Sequence, residues 1–382
     1  MRTIIFGTYD TTMHPRIATI AEGLAASGFD VTECNIPLGL STADRVDMLA
    51  KPWKAGGLVV RLASRWFGLA AKARGLGNHG LGRPDAVVVG YLGHFDVHLA
   101  RLLYRRGRVP LVLDHLISAA NTAKDRRLDG GMKTKVLRLI DAAALRAADI
   151  VVVDTEEHLE IVPEKYRSKA VVVPVGAPTP WHAAARDQST ESTDSSGPLK
   201  VVFYGLYTPL QGTPVIGEAL GRIAGAPVEV TMIGRGQDEA ETKRAAAANQ
   251  SVRWLDWVPA AELPALVASH DVCLGIFGTG DKALRVVPNK VFQGAAAGCA
   301  VITSDTAPQR RVLGTVPQES GAILVPPGDP AALADALLRL ANDREALLKL
   351  RHAAHQLAAE HFTPEQVVRP LTDRLLPSHA RA

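Results

Sequence analysis

The sequence has few cysteines and few aromatic residues, and it lacks the long apolar runs of membrane proteins. Only 3 of its 382 residues are cysteine, and aromatic residues make up 5%. Cys34, Cys273 and Cys299 lie far apart, which excludes a metal-ligand spacing and a disulfide framework. No apolar run approaches the roughly 20 residues that cross a bilayer, and the apolar start is too short for a signal peptide. These absences predict a cytoplasmic globular chain, with any membrane contact peripheral and at the inner face.

Acidic residues are absent between Met48 and Pro84, a stretch that contains seven Lys or Arg residues. Trp53, Trp66 and Phe67 interleave with these cations. The composition is typical of a solvated basic surface, or of an element over residues 51–74 that contacts an anionic membrane or a lipid-linked acceptor. Nucleic acid also binds basic patches, but nothing else in the sequence supports it, so we predict no nucleic-acid partner.

Short β-rich runs such as "DAVVVG", "DIVVVD" and "KVVFYG" alternate with helical patterns along the whole chain. Such runs are typical of parallel strands buried on both faces, and the length exceeds what one core usually supports. A polar Ser/Thr/Asp stretch at 183–198 predicts a linker. We therefore predict an α/β protein of two doubly wound Rossmann-like domains facing across a cleft. The predicted boundaries are 1–182, the linker 183–198, 199–362, and a segment 363–382 that returns to the first domain.

The strongest local pattern is "KALRVVPNKVFQGAAAGCAVITSD", from Lys282 to Asp305. Pro288 is placed to open a helix that runs to Gly298 and is followed by a buried strand. A helix N-terminus with Arg285 before it and Lys290 in its first turn can bind an anion, because free N–H groups and two cations meet there. The same pattern also fits an ordinary helix with surface cations.

This pattern, Pro-x-Lys followed by small residues, Gly and a Val-Ile strand, resembles the donor-binding region of the retaining family 4, or group 1, glycosyltransferases. The segments "HPRIATIAEGLAASGFDVT", "VVFYGLYTPLQG" and "GAILVPPGDPAALADALLRL" resemble other parts of that family in the same order. The resemblance implies the GT-B fold. It also implies transfer of a sugar from a nucleotide diphosphate donor of the UDP, GDP or TDP type, with retention of configuration.

In the second domain, the resemblance implies a donor site from which several family residues are missing. Gln293 stands where the family has a glutamate that binds the ribose, and Arg285 where it has a second glutamate. Leu206 and Gln211 replace two cations that contact the diphosphate, so we expect nearby cations to substitute for them. The residues assigned to the donor are Gly205, Gly234, Arg235, Gly236, Trp257, Val258, Lys282, Arg285, Asn289, Lys290 and Gln293.

In the first domain, Gly7 and Thr8 end the first strand, where a turn can approach a phosphate or a sugar. Asp114 and His115 end "PLVLDH", where the family often has a histidine that contacts the donor sugar, and His94 follows another strand. The resemblance implies that the donor phosphate helps to deprotonate the acceptor. Asp114, His115 and His94 are the predicted catalytic residues, although a single loop histidine is more often structural.

The predicted function is glycosyl transfer from a nucleotide sugar to an unidentified sugar, lipid-linked or small-molecule acceptor. No Asp-x-Asp motif is present to hold Mg²⁺, so we predict neither a metal site nor a further cofactor. Two alternatives remain open. One is a sugar-nucleotide epimerase of the same fold, and the other is a pseudo-glycosyltransferase that binds the nucleotide sugar without turning it over.

Overall fold

The computed structural model describes residues 1–10, 15–39, 55–76, 83–90, 93–104, 109–115, 131–185 and 197–376, and it divides into two units. The first unit comprises Met1–Pro174 and Val367–Ala382, and the second comprises Val175–Gln366. The second unit therefore includes residues 175–182, which the sequence-based division assigns to the first domain.

The described residues of the first unit contain six parallel strands, and three of the four interior strands are short apolar runs that are buried along their whole length. The strands are β1 (Arg2–Gly7), β2 (Asp30–Asn35), β3 (Ala86–Val89), β4 (Leu111–Asp114), β5 (Ile150–Val153) and β6 (Ala170–Val172). Their order in the sheet is β2-β1-β3-β4-β5-β6. The helices between them are α1 (Arg16–Ala26), α2 (Ala55–Leu76), α3 (Asp96–Tyr104), α4 (Gly131–Ala147), α5 (Glu156–Ile161) and α6 (Glu164–Arg167).

Successive side chains of a strand point to opposite faces of the sheet, so the first unit has one apolar core on each side. Ile4 and Phe6 of β1 pack in one core with Val87, whereas Ile5 packs in the other with Val88. Burial on both faces explains why these strands appear in the sequence as continuous apolar runs.

The second unit also contains a sheet of six parallel strands, in the order β12-β11-β10-β7-β8-β9. The strands are β7 (Leu199–Tyr204), β8 (Val228–Ile233), β9 (Val252–Leu255), β10 (Val272–Leu274), β11 (Ala300–Ser304) and β12 (Ala322–Val325). The helices are α7 (Thr179–Ala183), α8 (Thr213–Arg222), α9 (Glu239–Ala245), α10 (Leu263–Ala268), α11 (Asn289–Ala296), α12 (Ala307–Leu313), α13 (Pro317–Ser320), α14 (Pro330–Asn342) and α15 (Arg344–His361). The two parallel sheets confirm the predicted α/β fold of two Rossmann-like domains.

Helix α11 lies very close to the sheet of the second unit because its residues are small. A Cβ atom added to Gly294 would lie 2.6 Å from Cβ of Cys273 on β10, which is closer than real Cβ contacts. A larger residue at 294 would push α11 away from the sheet. Gly294 therefore fixes where the first turn of α11, with Asn289 and Lys290, lies at the carboxyl end of the strands.

The last helix, α16 (Pro364–Leu375), follows α15 and packs in the first unit. Val367, Val368 and Leu371 join the same core as Ile5 of β1. Among the helices that the structure describes in both units, none combines the length and the apolar character that a bilayer crossing needs.

Candidate active site

Two glycine turns meet at the carboxyl ends of β7 and β8. Gly205 donates its backbone N–H to the carbonyl oxygen of Ile233 at 3.0 Å, and Tyr207 donates its backbone N–H to the carbonyl oxygen of Arg235 at 2.9 Å. Gly234 has a φ of +131°, and a Cβ atom there would lie 1.9 Å from the carbonyl oxygen of Gly205. The backbones of the two turns are therefore in direct contact, which only glycine allows at 234.

The amino group of Lys290 lies against the first of these turns. Its Nζ atom is 3.9 Å from the ring centroid of Phe203, contacts Oε1 of Gln211, and would lie 3.1 Å from a Cβ atom on Gly205. The side chain is only 4% exposed, and this burial lowers the pKa of Lys290 to about 7. Lys290 can therefore gain or lose its charge near neutral pH, and an anion at the Gly205 turn would favour the charged form.

Of the two predicted cations before α11, Arg285 ends a short 3₁₀ turn, Ala283–Arg285, and Lys282 directly precedes this turn. Arg285 is exposed and Lys282 is half-buried, and Asn289 is the first residue of α11. The preceding loop reaches the Gly205 turn, since a Cβ atom on Gly278 would lie 2.2 Å from the carbonyl oxygen of Pro209. Backbone contacts thus hold the loop before α11 against the segment that contains Gln211.

Gln293, the predicted ribose-binding residue, is buried in the second unit. Its Oε1 atom accepts a hydrogen bond from the hydroxyl of Tyr204 at 2.9 Å, and the Tyr204 ring stacks on Trp181. The amide oxygen of Gln293 is therefore used inside the protein. Its assignment to the ribose stays a prediction.

The predicted donor residues Arg235 and Trp257 lie on the surface of the second unit. Arg235 forms an exposed ion pair with Asp256, and this hydrogen bond holds the pKa of the Asp256 carboxyl below its ordinary value. Trp257 is 72% exposed, whereas Val258 is half-buried and packs on the core. The Trp257 ring is open for stacking with a flat ligand.

In the first unit, the turn of Gly7 and Thr8 is closed by Asp96 at the start of α3. Thr8 donates its backbone N–H and its hydroxyl to Oδ2 of Asp96 at 2.7 and 2.8 Å, and Trp66 donates its indole N–H to Oδ1 at 2.8 Å. Burial raises the pKa of Asp96, and the three donated hydrogen bonds oppose this shift. Both Thr8 donors thus serve an internal carboxyl group.

Asp114, predicted to be catalytic, forms a buried ion pair with Arg16 of α1. The guanidinium Nε lies 2.9 Å from Oδ1 of Asp114, and Nη2 donates to the carbonyl oxygen of Val173 at 2.9 Å. Burial raises the pKa of Asp114, and the Arg16 charge acts in the opposite direction. The ion pair ties α1 to the carboxyl end of β4, which gives Asp114 a structural role in addition to the predicted one.

The two predicted catalytic histidines lie together in the first unit with Asp141 of α4. The ring centroids of His94 and His115 are 5.3 Å apart, and Nε2 of His94 is 3.0 Å from Oδ1 of Asp141. Burial and the neighbouring His94 lower the pKa of His115 to about 4, so its imidazole is neutral at pH 7. The structure thus brings His94 and His115 together at the carboxyl ends of β3 and β4.

Comparison with known proteins finds a family match within the second unit. Residues 198–343 match the family model described as glycosyl transferases, group 1. A phosphatidyl-myo-inositol mannosyltransferase of Mycobacterium leprae is 33% identical over 159 residues, which cover 40% of this chain and 40% of that protein. The second unit therefore contains a region that is similar in sequence to group 1 glycosyltransferases. The predicted resemblance to this family is confirmed there.

Solved structures are similar to this protein in fold over almost the whole chain. A sucrose-phosphate synthase from Thermosynechococcus elongatus superimposes with a TM-score of 0.66 at 15% identity, over 98% of this chain and 97% of that chain. Anabaena HepE in complex with UDP superimposes with a TM-score of 0.64 at 12% identity, over 98% of both chains. At such identities the likeness concerns the fold, which is the GT-B glycosyltransferase fold.

The group 1 match includes every donor residue predicted in the second unit, from Gly205 to Gln293. It does not include His94, Asp114 or His115, which lie in the first unit. The family model therefore does not bear on the catalytic roles predicted for these three residues.

Several residues at these sites were not predicted from the sequence. Arg16 could have been noticed in the sequence, because it is a cation beside Ile17 on the apolar face of a helix. Asp96 could also have been noticed, since an acid at the start of a helix often accepts hydrogen bonds from nearby N–H groups. No feature of the sequence points to Asp141 or Tyr204, because each residue contacts its partner only in the folded protein.

Proposed function

We propose that this protein transfers a sugar from a nucleotide diphosphate sugar to an acceptor, with retention of configuration. The observation that carries the proposal is the buried Lys290 amino group against the Gly205 turn, inside the region that matches group 1 glycosyltransferases. The structures of Anabaena HepE with UDP and with UDP-glucose support a donor of the UDP, GDP or TDP type.

The donor diphosphate would lie at the Gly205 turn and the start of α11. Lys290 would become fully protonated beside it, and Arg285 and Lys282 would supply the charge that Leu206 and Gln211 do not. Backbone N–H groups at the start of α11 would bind the phosphate oxygens. The same groups would stabilise the negative charge that develops on the leaving nucleotide diphosphate.

In the first unit, His115 would contact the donor sugar, and His94 and Asp114 would position it. A neutral imidazole can donate a hydrogen bond from one nitrogen and accept one at the other, which suits a sugar hydroxyl. The leaving phosphate would take the acceptor proton, as the family resemblance implies. Catalysis in this scheme needs no Mg²⁺ at the diphosphate.

Incubation with UDP-, GDP- and TDP-sugars tests the proposal, with free nucleotide diphosphate as the readout in the presence and absence of candidate acceptors. Acceptor-dependent release supports glycosyl transfer. Conversion of the donor into its epimer would identify an epimerase instead. Binding without turnover by every donor would identify the pseudo-glycosyltransferase, for which Arg285 and Gln293 in place of family acids are the specific support.

We further propose that the outer face of α2 contacts an anionic membrane that carries the acceptor. Val60 and Phe67 are seven residues apart, so they share one face of the helix, and Phe67 is 79% exposed. Arg61, Lys72 and Arg74 are exposed on the same helix. The matched Mycobacterium leprae protein is named for mannosyl transfer to a phosphatidylinositol, which supports a lipid acceptor.

The structure changes which residues can serve this membrane contact. Trp66 donates its indole N–H to Asp96, and Leu69 is fully buried, so this side of α2 faces the core. Trp66 was expected among the membrane anchors, but its N–H is bonded inside the first unit, so the proposed contact does not include it. Lys51, Trp53 and Lys54 lie outside the described residues.

Co-sedimentation with anionic and neutral vesicles tests the membrane proposal. Each cation near an anionic surface adds about 1 kcal/mol, so Arg61→Glu/Lys72→Glu/Arg74→Glu should abolish most of the binding at low salt. Phe67→Ser should weaken the vesicle binding that remains at high salt. The control Leu102→Ser changes a comparably exposed residue on α3 and should not weaken it. Equal binding by wild type and the charge variant would refute the contact.

A further inference from the structure

Three buried polar side chains from separate elements converge in the first unit. His94 follows β3, His115 follows β4 and Asp141 lies on α4, and they are 7%, 8% and 7% exposed. One potential ligand atom from each lies within 4.8 Å of those of the other two. Because the carboxyl ends of neighbouring parallel strands lie side by side, the fold itself places the two imidazoles together.

Two imidazole nitrogens of this cluster have no hydrogen-bond partner in the part of the chain that the structure describes. Nδ1 of His115 is buried and has no hydrogen-bond partner among the described residues. Nε2 of His94 is 3.0 Å from Oδ1 of Asp141, yet its orientation makes no hydrogen bond within the same part of the chain. A buried polar atom without a partner costs roughly 1–3 kcal/mol, so two such atoms facing one carboxyl group indicate a missing ligand.

A proton shared between His94 and Asp141 would satisfy only part of this cluster. It would leave Nδ1 of His115 unpaired and add a positive charge beside a second buried imidazole. A divalent cation satisfies all three groups together, since two neutral imidazoles and one carboxylate each donate a lone pair to it.

We propose that His94, His115 and Asp141 bind one divalent metal ion of the zinc class. Two imidazole nitrogens and one carboxylate oxygen form a three-residue ligand set that leaves a coordination position for water. The sequence predicted no metal because the three residues are 21 and 26 positions apart and match no ligand motif. This inference goes beyond the proposed function, because metal binding requires no nucleotide sugar.

Coordination would also set the tautomer of His115. A metal ion on Nδ1 places the ring proton on Nε2, which makes that nitrogen a hydrogen-bond donor. His115 could then bind the metal ion with one nitrogen and donate to a sugar hydroxyl with the other. The metal ion would in that case be a positioning group for the predicted sugar contact.

Calorimetric titration of the tag-free, chelator-treated full chain with Zn²⁺ tests the site, together with metal content measured after gel filtration. We expect one equivalent of zinc for wild type, and at least about tenfold weaker binding for His94→Gln and for Asp141→Asn. His98→Gln is the matched control, because His98 is an exposed histidine on α3 of the same unit and is not one of the three residues of the cluster. It should retain wild-type affinity.

Substitution with Co²⁺ provides a readout that does not depend on the variants folding. A tetrahedral site should give wild-type protein the strong visible absorption of four-coordinate Co²⁺, and added Zn²⁺ should remove it. The proposal is overturned if wild type binds no zinc, if it binds no more tightly than His94→Gln, or if the control His98→Gln is the variant that loses zinc binding. An ordered water would then be the partner of the His115 and His94 nitrogens.

Discussion

Removal of the Lys290 amino group should weaken nucleotide diphosphate binding in a way that depends on pH. Lys290 contacts the Gly205 turn and Gln211, so its charge would act directly on a phosphate bound there. A charge-assisted hydrogen bond contributes about 1.5–3 kcal/mol, which corresponds to a loss of about 10- to 150-fold in affinity for Lys290→Ala. This estimate applies below pH 7, where the free protein already carries the charge.

The pH dependence follows from the pKa of Lys290, which burial lowers to about 7. A bound diphosphate favours the protonated amine, so the pKa in the complex is higher than in the free protein. The extra affinity is therefore fully present below pH 7 and is lost as the pH rises towards the pKa of the complex. Between pH 7 and the pKa of the complex, each pH unit lowers the contribution of Lys290 to the binding free energy by about 1.4 kcal/mol, or about tenfold in affinity.

Calorimetry with UDP, GDP and TDP between pH 6 and about 8.5 measures this effect. The terminal phosphate of the ligand also titrates, but it does so equally with wild type and variant, so the ratio of their dissociation constants isolates Lys290. Lys290→Met keeps most of the volume of the side chain and separates lost charge from a cavity. Lys200→Ala removes an exposed lysine near the amino end of β7 and should have no effect.

Two outcomes would refute this reasoning. If Lys290→Ala and Lys290→Met both fold and bind as tightly as wild type below pH 7, Lys290 does not contact the ligand. If wild type binds more tightly but the ratio does not change with pH, the buried amine is charged throughout and its pKa is not near 7.

The remaining predictions concern stability and metal dependence. Gly234→Ala should lower the free energy of unfolding by about 3 kcal/mol, because its Cβ atom would overlap the Gly205 carbonyl at a positive φ; unchanged urea denaturation would show that the two turns do not touch. Asp114→Asn should cost about 3 kcal/mol at neutral pH because it leaves Arg16 buried without a counter-charge, and lost turnover with unchanged stability would instead favour a purely catalytic role. Lys290→Met should gain stability relative to wild type as the pH falls from 10.5 towards about 7 and should gain no more below that, since the unfolded lysine takes up its proton near 10.5 and the folded one only near 7; parallel stability profiles of the two proteins across this pH range in urea would contradict this. Turnover should be the same with and without added Mg²⁺, and a rate that requires Mg²⁺ would contradict diphosphate binding by protein cations alone.

The alternation of apolar and helical patterns was enough to predict both sheets, because strands buried on both faces are continuous runs of Val, Ile and Leu. The position of Lys290 at the start of α11 was also predictable, since Pro288 marks the beginning of the helix. Its burial was not, because the contact with Phe203 joins residues 87 positions apart. A local pattern contains no information on such a contact.

Contacts between residues far apart in the sequence explain the other differences between the sequence-based predictions and the structure. Asp114 could be placed at the end of β4, but its partner Arg16 comes from α1, and either residue alone looks like a surface charge. Trp181 lies beside the linker, and an apolar residue in that position can pack on either of two cores. It packs on the core of the second unit, stacked on Tyr204, which periodicity cannot specify.

Hydrogen exchange with and without a nucleotide diphosphate tests the proposed donor site most directly. The ligand is whichever of UDP, GDP and TDP binds most tightly, at a concentration that saturates the protein. We predict slower exchange in residues 205–212, 234–238 and 285–293 of the second unit, and loss of that protection in Lys290→Ala at the same ligand concentration. Protection elsewhere in the chain, or equal protection in the variant, would contradict a donor site formed by the Gly205 turn and the first turn of α11.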